Sequence, residues 1–355
     1  MKKAFFRGSF LLFVTMFLTL PLQSAQVYAA EATPLEMYYP TDIEEHWAYG
    51  ELDNFLNADL LRGYEDQEGN VTVKPNHSIS RAEFVSILVR ALGLTSDASG
   101  TAFTDVEQGK WYAEPIRIAS SLGIVNGISE SNFGPNQLIK RGEIAALVVR
   151  AFSSSVQFEG EMKQFADVPE YYATPAILMA SQAGIVRGVS ETEFKPFANA
   201  KRAEAVVMLQ RALDLQNSAL PEDSILTTVV LNSEEQEQQV FKDKTYDQFD
   251  AVYAQYYTGY YLAASHAATM ELTELVNQGF EIAIESISTQ TLTILDKTDR
   301  FAVIDSAGGS YKVTFTNDTE KFEETVATDG IYYLKKMPDN SWKIYMFYQD
   351  EEQQA

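Results

Sequence analysis

The chain of 355 residues contains no cysteine and only three histidines, His46, His77 and His266, each standing alone. Disulfides and thiol chemistry are therefore excluded, and a zinc site of ordinary ligand spacing is not supported. Basic residues are scarce: 27 Lys+Arg face 50 Asp+Glu, a formal net charge of −23. So acidic a surface opposes nucleic acid and anionic lipid, although it identifies no partner. Beyond the first thirty residues no apolar run approaches the roughly 20 residues that a membrane-spanning helix needs. No phosphate loop, nucleophile motif or metal cluster stands out. Carboxylates are so abundant that no pair is singled out as a glycosidase acid and nucleophile. No metal and no cofactor is expected, and the composition sets no oligomeric state.

What is present begins with a targeting pattern over residues 1–30. Lys2, Lys3 and Arg7 form a basic head, Phe10 to Leu22 an apolar core, and Val27-Tyr28-Ala29-Ala30 a small-residue cleavage site. The expectation is export followed by release from the membrane, the alternative being an uncleaved anchor. Cutting there would leave 24 Lys+Arg against 50 Asp+Glu, about −26.

The next half of the chain repeats itself. Ile79-Ser80-Arg81-Ala82-Glu83, Ile139-Lys140-Arg141-Gly142-Glu143 and Ala200-Lys201-Arg202-Ala203-Glu204 each open a run of apolar residues at helical spacing. Arg90, Arg150 and Arg211 recur nine residues after each first arginine. Upstream, each unit has a turn aspartate (Asp42, Asp105, Asp167) and, five or six residues on, an aromatic (Trp47, Trp111, Tyr172). A first helix follows, ended by Gly123 and Gly184 in two units and by Asp59 in the other. A proline loop (Pro75, Pro135, Pro196) then leads to the Arg-x-Glu helix. A helix-loop-helix unit cannot bury its narrow apolar face alone, but three copies can bury theirs together. Repeats over 35–95, 101–153 and 163–218 are expected to form an all-α, three-lobed domain.

After residue 225 the pattern changes. Ser233 to about Ala264 reads as a helix with Tyr246, Phe249, Tyr253, Tyr256 and Tyr260 on one side, and about Thr269 to Asn277 as a second. Six strands follow: Phe280–Ser288, Thr291–Leu295, Arg300–Asp305, Tyr311–Thr316, Gly330–Lys336 and Trp342–Tyr348. Ala307-Gly308-Gly309-Ser310 and Pro338-Asp339-Asn340 supply hairpin turns. The fold class expected is thus multidomain, with a separate α+β domain built on an antiparallel sheet over residues 225–355.

The repeats resemble the S-layer homology domain, a cell-wall anchoring module of Gram-positive-type bacteria. The likeness rests on Asp105-Val106, Trp111, Gly123-Ile124 through Gly127, Phe133-Gly134-Pro135, and Arg141-Gly142-Glu143 leading to Arg150-Ala151, with most positions present in all three copies. It implies a pseudo-threefold prism whose inter-repeat grooves bind a secondary cell-wall polysaccharide, in one branch a pyruvylated N-acetylmannosamine. By that resemblance Arg81, Arg141 and Arg202 would hold the carboxylate, and Asp42, Asp105 and Asp167 would fix the site. Trp47, Trp111 and Tyr172 would lie against the sugar, with Lys140 and Lys201 as added cations. An arginine fork matches a carboxylate, a helix start offers N–H groups, and an indole face suits the C–H face of a sugar. The alternatives are ion pairs for the arginines, with the following glutamate or with a neighbouring repeat, helix caps for the aspartates and core positions for the tryptophans.

The function implied is non-covalent, non-catalytic anchoring of a secreted protein at the cell surface. The rivals are an anchored enzyme with its active site after residue 225, or a self-assembling array protein. The C-terminal layout resembles the nuclear-transport-factor-2-like cone at the level of architecture, which fixes no function.

Overall fold

The computed structural model describes residues 34–350 and a two-residue strand at Phe6–Arg7. Apart from that strand, the targeting segment read over residues 1–30 lies outside the described residues.

Each repeat yields a short helix, a loop and a longer helix. The first holds α1 (Tyr49–Asn57) and α2 (Arg81–Leu92), the second α3 (Ala113–Ser121) and α4 (Arg141–Phe152), the third α5 (Thr174–Gln182) and α6 (Arg202–Asp214). The short helices stop where the chain turns left-handed, at Gly123 (φ 71°), Gly184 (φ 73°) and Asp59 (φ 56°). Glycine takes this conformation without a Cβ penalty, and aspartate is among the few others that adopt it. The Asp59 carboxylate also accepts a 2.8 Å hydrogen bond from Tyr38 Oη. The first repeat is not purely helical: β1 (Tyr64–Glu65) and β2 (Val71–Thr72) pair as a small antiparallel hairpin. The all-α expectation is corrected there, by the turn residues between Glu65 and Val71.

The three repeats join in a ring. Ile79 N–H donates to Ala200 O, Ala200 N–H to Ile139 O, and Ile139 N–H to Ile79 O, at 3.0, 2.9 and 3.0 Å. Beside this ring, the first N–H groups of each long helix point into the neighbouring repeat. Arg81 and Ala82 donate to Gln137 O and Pro135 O, Arg141 and Gly142 to Ala198 O and Pro196 O, and Arg202 and Ala203 to His77 O and Pro75 O. The orphan donors of a helix start are thus satisfied by the next repeat's proline loop. The apolar faces of all six helices form one core, including Phe55, Phe84, Phe133, Phe152 and Phe194.

The C-terminal region starts with three helices where two were expected: α7 (Asp223–Asp243), α8 (Phe249–Tyr256) and α9 (Gly259–Asn277). The single helix read over 233–264 breaks twice. Lys244 turns left-handed (φ 56°), and Tyr257 and Thr258 are extended. Aromatic spacing from Tyr246 to Tyr260 continues across the second break, which is why periodicity alone did not reveal it, and the first break, at Lys244, precedes that stripe. Strands β3 (Glu281–Ser288), β4 (Thr291–Lys297), β5 (Phe301–Ala307), β6 (Ser310–Thr316), β7 (Lys321–Ala327), β8 (Gly330–Lys336) and β9 (Trp342–Gln349) follow. Strand β7 was not anticipated; its Lys321-Phe322-Glu323-Glu324 start is polar and exposed. The strands form two antiparallel sheets, not one. One runs β9-β8-β5-β4, with Phe6–Arg7 at its edge, and the other runs β3-β6-β7. Helices α7, α8 and α9 pack against them, burying Phe249, Tyr253 and Tyr256 of α8 and Tyr257 after it with Ile304, Leu334 and Ile344.

This region is docked on the first repeat. Tyr345 Oη donates to Asn54 Oδ1 (2.7 Å), Tyr348 Oη to Asp53 Oδ2 (2.9 Å), and Arg300 Nε to Ala91 O (3.1 Å). Gly259 opens α9 at φ 59°, and a Cβ there would stand 2.0 Å from Asn57 O. Only glycine permits that approach. Tyr260, Ala263, Ala264, Tyr345 and Met346 belong to the same apolar core as the repeats.

Within the C-terminal core two glutamates of α7 are buried. Glu234 accepts from Tyr332 Oη and Gln290 Nε2, both at 2.8 Å. Burial pushes the Glu237 carboxyl up to about 8, with Tyr257 opposing and Glu234 adding to the shift. A raised carboxyl pKa means the folded chain holds a proton that the unfolded chain has released. Stability is therefore lost as pH climbs from the ordinary carboxylate range through about 8. Glu237→Gln should be more stable than the parent at about pH 9, with the difference shrinking toward about pH 4. Urea unfolding at a series of pH values measures this.

Candidate functional site

The Arg-x-Glu stretches face inward between repeats. Arg81, Arg141 and Arg202 are only 7, 4 and 4% exposed. Each reaches the next repeat in the ring: Arg81 Nη1 to Glu143 (2.8 Å), Arg141 Nη1 to Glu204 (2.5 Å), Arg202 Nη1 to Glu83 (3.0 Å). Each Nε donates to a backbone carbonyl, of Phe133 (3.0 Å), Phe194 (2.8 Å) and Val73 (2.8 Å) respectively. The first two guanidiniums also lie 4.8 and 4.9 Å over the rings of Phe133 and Phe194. The third repeat-loop position is Val73, which has no ring, and Tyr64 of the β1–β2 hairpin takes its place 4.8 Å from Arg202.

The glutamates explain the motif's spacing. One oxygen accepts the N–H of the residue before the helix: Ser80 to Glu83 (2.8 Å), Lys140 to Glu143 (2.8 Å), Lys201 to Glu204 (2.9 Å). The other oxygen meets the arginine of another repeat. Only Ser80 completes a capping box, its Oγ accepting from Glu83 N at 3.2 Å. Each carboxylate thus caps its own helix and ties down a neighbour.

The turn aspartates cap loops, not helices. Asp42 accepts from Val73 N and Lys74 N, Asp105 from Phe133 N and Gly134 N, Asp167 from Phe194 N and Lys195 N, all at 2.7–2.8 Å. Aspartate and arginine therefore converge on one residue per repeat. The aspartate holds the N–H of Val73, Phe133 or Phe194 and the arginine holds its carbonyl. Of the openings considered from sequence, the inter-repeat ion pair is what the geometry displays for the arginines. The helix starts offer an anion less than the sequence suggested, because their first N–H groups are already spent on neighbouring carbonyls. Lys140 reaches Asn199 Oδ1 (2.5 Å) and Lys201 is exposed.

The aromatics do the opposite. Trp47, Trp111 and Tyr172 are 64, 61 and 69% exposed, so none is a core residue. Trp111 borders a cleft of about 330 Å³ that draws on all three repeats: Arg62, Tyr64, Glu83 and Arg90 from the first, Trp111 from the second, Arg202 from the third. Arg62 is exposed at its mouth. Arg90 is braced by Nε donating to Leu60 O (3.0 Å). Burial, with Arg62 adding to it, lowers the Arg90 pKa to about 10, well above neutrality. The Tyr64 hydroxyl donates to Glu83, and burial pushes it up to about 12.

Parts of this arrangement recur around the ring. The Tyr172 hydroxyl is raised by partial desolvation and Glu143, and pulled back by Arg81 and Arg150. Arg211 is lowered by burial and then by Arg187, with Glu51 of α1 opposing. Sequence grouping by repeat is thus rearranged in space: an aromatic of one repeat stands beside the glutamate of the preceding one and the arginine of the third. Sequence reasoning named Arg90 only as a recurring position and did not single out Arg62, Tyr64 or Arg187. Their signal was position: Arg62, Asn126 and Arg187 each precede the glycine that closes the first helix-turn of a repeat.

The S-layer homology domain family matches this chain over residues 41–85, 102–145 and 164–206. Among curated proteins, the chain is similar to the amylopullulanase of Thermoanaerobacterium thermosulfurigenes, 30% identical over 178 residues. It is 29% identical over 168 residues to the surface-layer 125 kDa protein of Lysinibacillus sphaericus. It is 27% identical over 165 residues to the cellulosome-anchoring protein of Acetivibrio thermocellus. These matches cover 49, 46 and 44% of this chain but only 9, 14 and 36% of those proteins. The relatives with enzyme names match in the repeat region alone.

Interior and surface positions of the motif should separate on mutation. Arg81→Ala strands Glu143 at a buried boundary and should cost about 3 kcal/mol of stability. Trp111→Ala should change stability by no more than about 0.5 kcal/mol. Urea denaturation of the two variants measures both. Equal losses would contradict the division.

Proposed function

This chain carries three tandem S-layer homology domains, and on that premise we propose that it is a secreted, non-catalytic wall-anchored protein of a Gram-positive-type bacterium. Its repeats bind an anionic cell-wall polysaccharide, and residues from about 225 onward are displayed at the surface. The observation that carries this reading is the exposure of Trp47, Trp111 and Tyr172 at one equivalent position in three repeats. Large exposed aromatics at one site each would be ordinary. Three in register, with arginines beside Trp111 and Tyr172, form a repeated binding pattern.

The Trp111 cleft suits an acidic sugar. The indole offers a flat face to the C–H side of a pyranose. Arg62 and Arg90 offer forked donors for a carboxylate such as a pyruvyl ketal. Arg202 and Glu83 already bind each other and form the cleft's fixed wall. In this assignment the motif arginines shape the site while Arg62, Arg90 and Arg187 meet the ligand. A strongly acidic chain can still hold an anion here, because charges beyond about 8 Å are screened at physiological salt. Several grooves on one polymer would raise retention through effective concentration even if each is weak.

Sedimentation with purified walls tests the assignment. Trp111→Ala and Arg62→Ala should each weaken retention by about tenfold at a single groove, the worth of about 1.4 kcal/mol. Trp47→Ala, Trp111→Ala and Tyr172→Ala combined should release the protein while its unfolding transition stays unchanged. Full retention by the folded triple variant would refute the groove assignment.

A further inference from the structure

A second cavity, about 300 Å³, lies where the C-terminal region meets the first repeat. It is apart from the Trp111 cleft, although Arg90 borders both. Four basic residues line it against one carboxylate, Asp59: Lys336 on β8, and three whose hydrogen bonds lie within the junction, Arg90 from α2, Arg300 before β5 and Lys335 on β8. Their hydrogen bonds run to neutral carbonyls. Arg90 Nε donates to Leu60 O (3.0 Å), Arg300 Nε to Ala91 O (3.1 Å) and Nη2 to Lys336 O (2.7 Å), and Lys335 Nζ to Ala58 O. No ion pair joins any of the three to a carboxylate among the described residues. Asp299 stands near Arg300, but its oxygens accept from Ser218 Oγ (2.6 Å) and Ala219 N (2.7 Å).

Buried charge without a countercharge is expensive. Helix-end carbonyls at the close of α2 offset only about half a charge. Four positive groups and one negative leave the cavity lining with a surplus of three positive charges inside a chain whose formal net charge is −23. Lys335 is 8% exposed. Burial, together with Arg300 and Arg90, pulls its pKa down to about 8 against the opposing pull of Asp59.

We infer that this junction cavity binds a small dianion of the phosphate-group class, held by Arg90, Arg300 and Lys335. A lining with several surplus positive charges suits a dianion over a monoanion. The three cations approach from different elements and do not form one planar fork, which suits a tetrahedral group better than a single carboxylate. Such a ligand would touch α2 of the first repeat and β5 and β8 of the C-terminal region, so its binding would fasten the two together.

The test is thermal unfolding of the mature full-length chain with low-millimolar inorganic phosphate, against sodium chloride at matched ionic strength and against malonate. The parent should melt higher in phosphate than in either control, and the gain should fade above about pH 8 as Lys335 loses its charge. Lys335→Met keeps the stem and removes one surplus charge. It should melt at or above the parent in chloride and lose the phosphate response. Arg300→Gln should weaken phosphate binding at least tenfold by calorimetry. If that variant fails to fold, the Lys335→Met comparison still decides. Equal melting of the parent in phosphate and chloride, or an undiminished phosphate response in Lys335→Met, would overturn the site. A malonate response equal to that of phosphate would overturn the phosphate class.

Discussion

The structure of the repeats depends on one interaction used three times: a buried guanidinium that joins the loop carbonyl of the next repeat to its helix-capping glutamate. A single unit of helix, loop and helix has an apolar face but nothing to cover it. Burying an arginine to build that cover is costly unless the charge is paired and every donor is met. The Arg-x-Glu spacing supplies both halves of the solution. Glutamate at the third helical position spends one oxygen on its own helix start and leaves the other for an arginine arriving from another repeat. Because the last repeat returns to the first, through Arg202 and Glu83, the ring closes without an exposed end.

That interior economy shapes the surface. Motif residues spent on assembly are largely hidden, and the equivalent residues left facing solvent are the aromatics and Arg62, Asn126 and Arg187 before the glycines. Clefts between repeats inherit a cationic wall from the ion-pair ring and an aromatic lip from the turn of the following repeat. A binding surface of this kind is positioned by the core, not by flexible loops, which favours a preorganised site. The C-terminal region adds to this frame through Arg300, Tyr345 and Tyr348, so whatever it presents is held in a defined relation to the first repeat.

Much of this was legible before any coordinates. The repeat, its two helices, the proline loops and Asp59 in a glycine's place follow from spacing and turn chemistry. Six of the seven C-terminal strands fall within two residues of their expected ends. Legibility ended where one signal served two purposes. Aromatic spacing from Tyr246 to Tyr260 ran through the break at Tyr257–Thr258, and neither that pair nor Lys244 carries a strong stop signal. Strand β7 was hidden by its exposed, charged start. Arg81 and Arg141 carry the chemistry of a carboxylate ligand and of an ion pair alike, and only the placement of Glu143 and Glu204 distinguishes the partner actually held. Arg62 could not be singled out, because the cleft it lines is assembled from three separate repeats.

The most direct measurement is sedimentation of the mature protein with purified cell walls, before and after chemical removal of the wall polysaccharide. Binding that is lost with the polymer is the predicted result, and it would assign the repeats to polysaccharide anchoring. Binding that survives extraction, or no binding to intact walls, would contradict the account and shift the adhesive role away from the inter-repeat clefts.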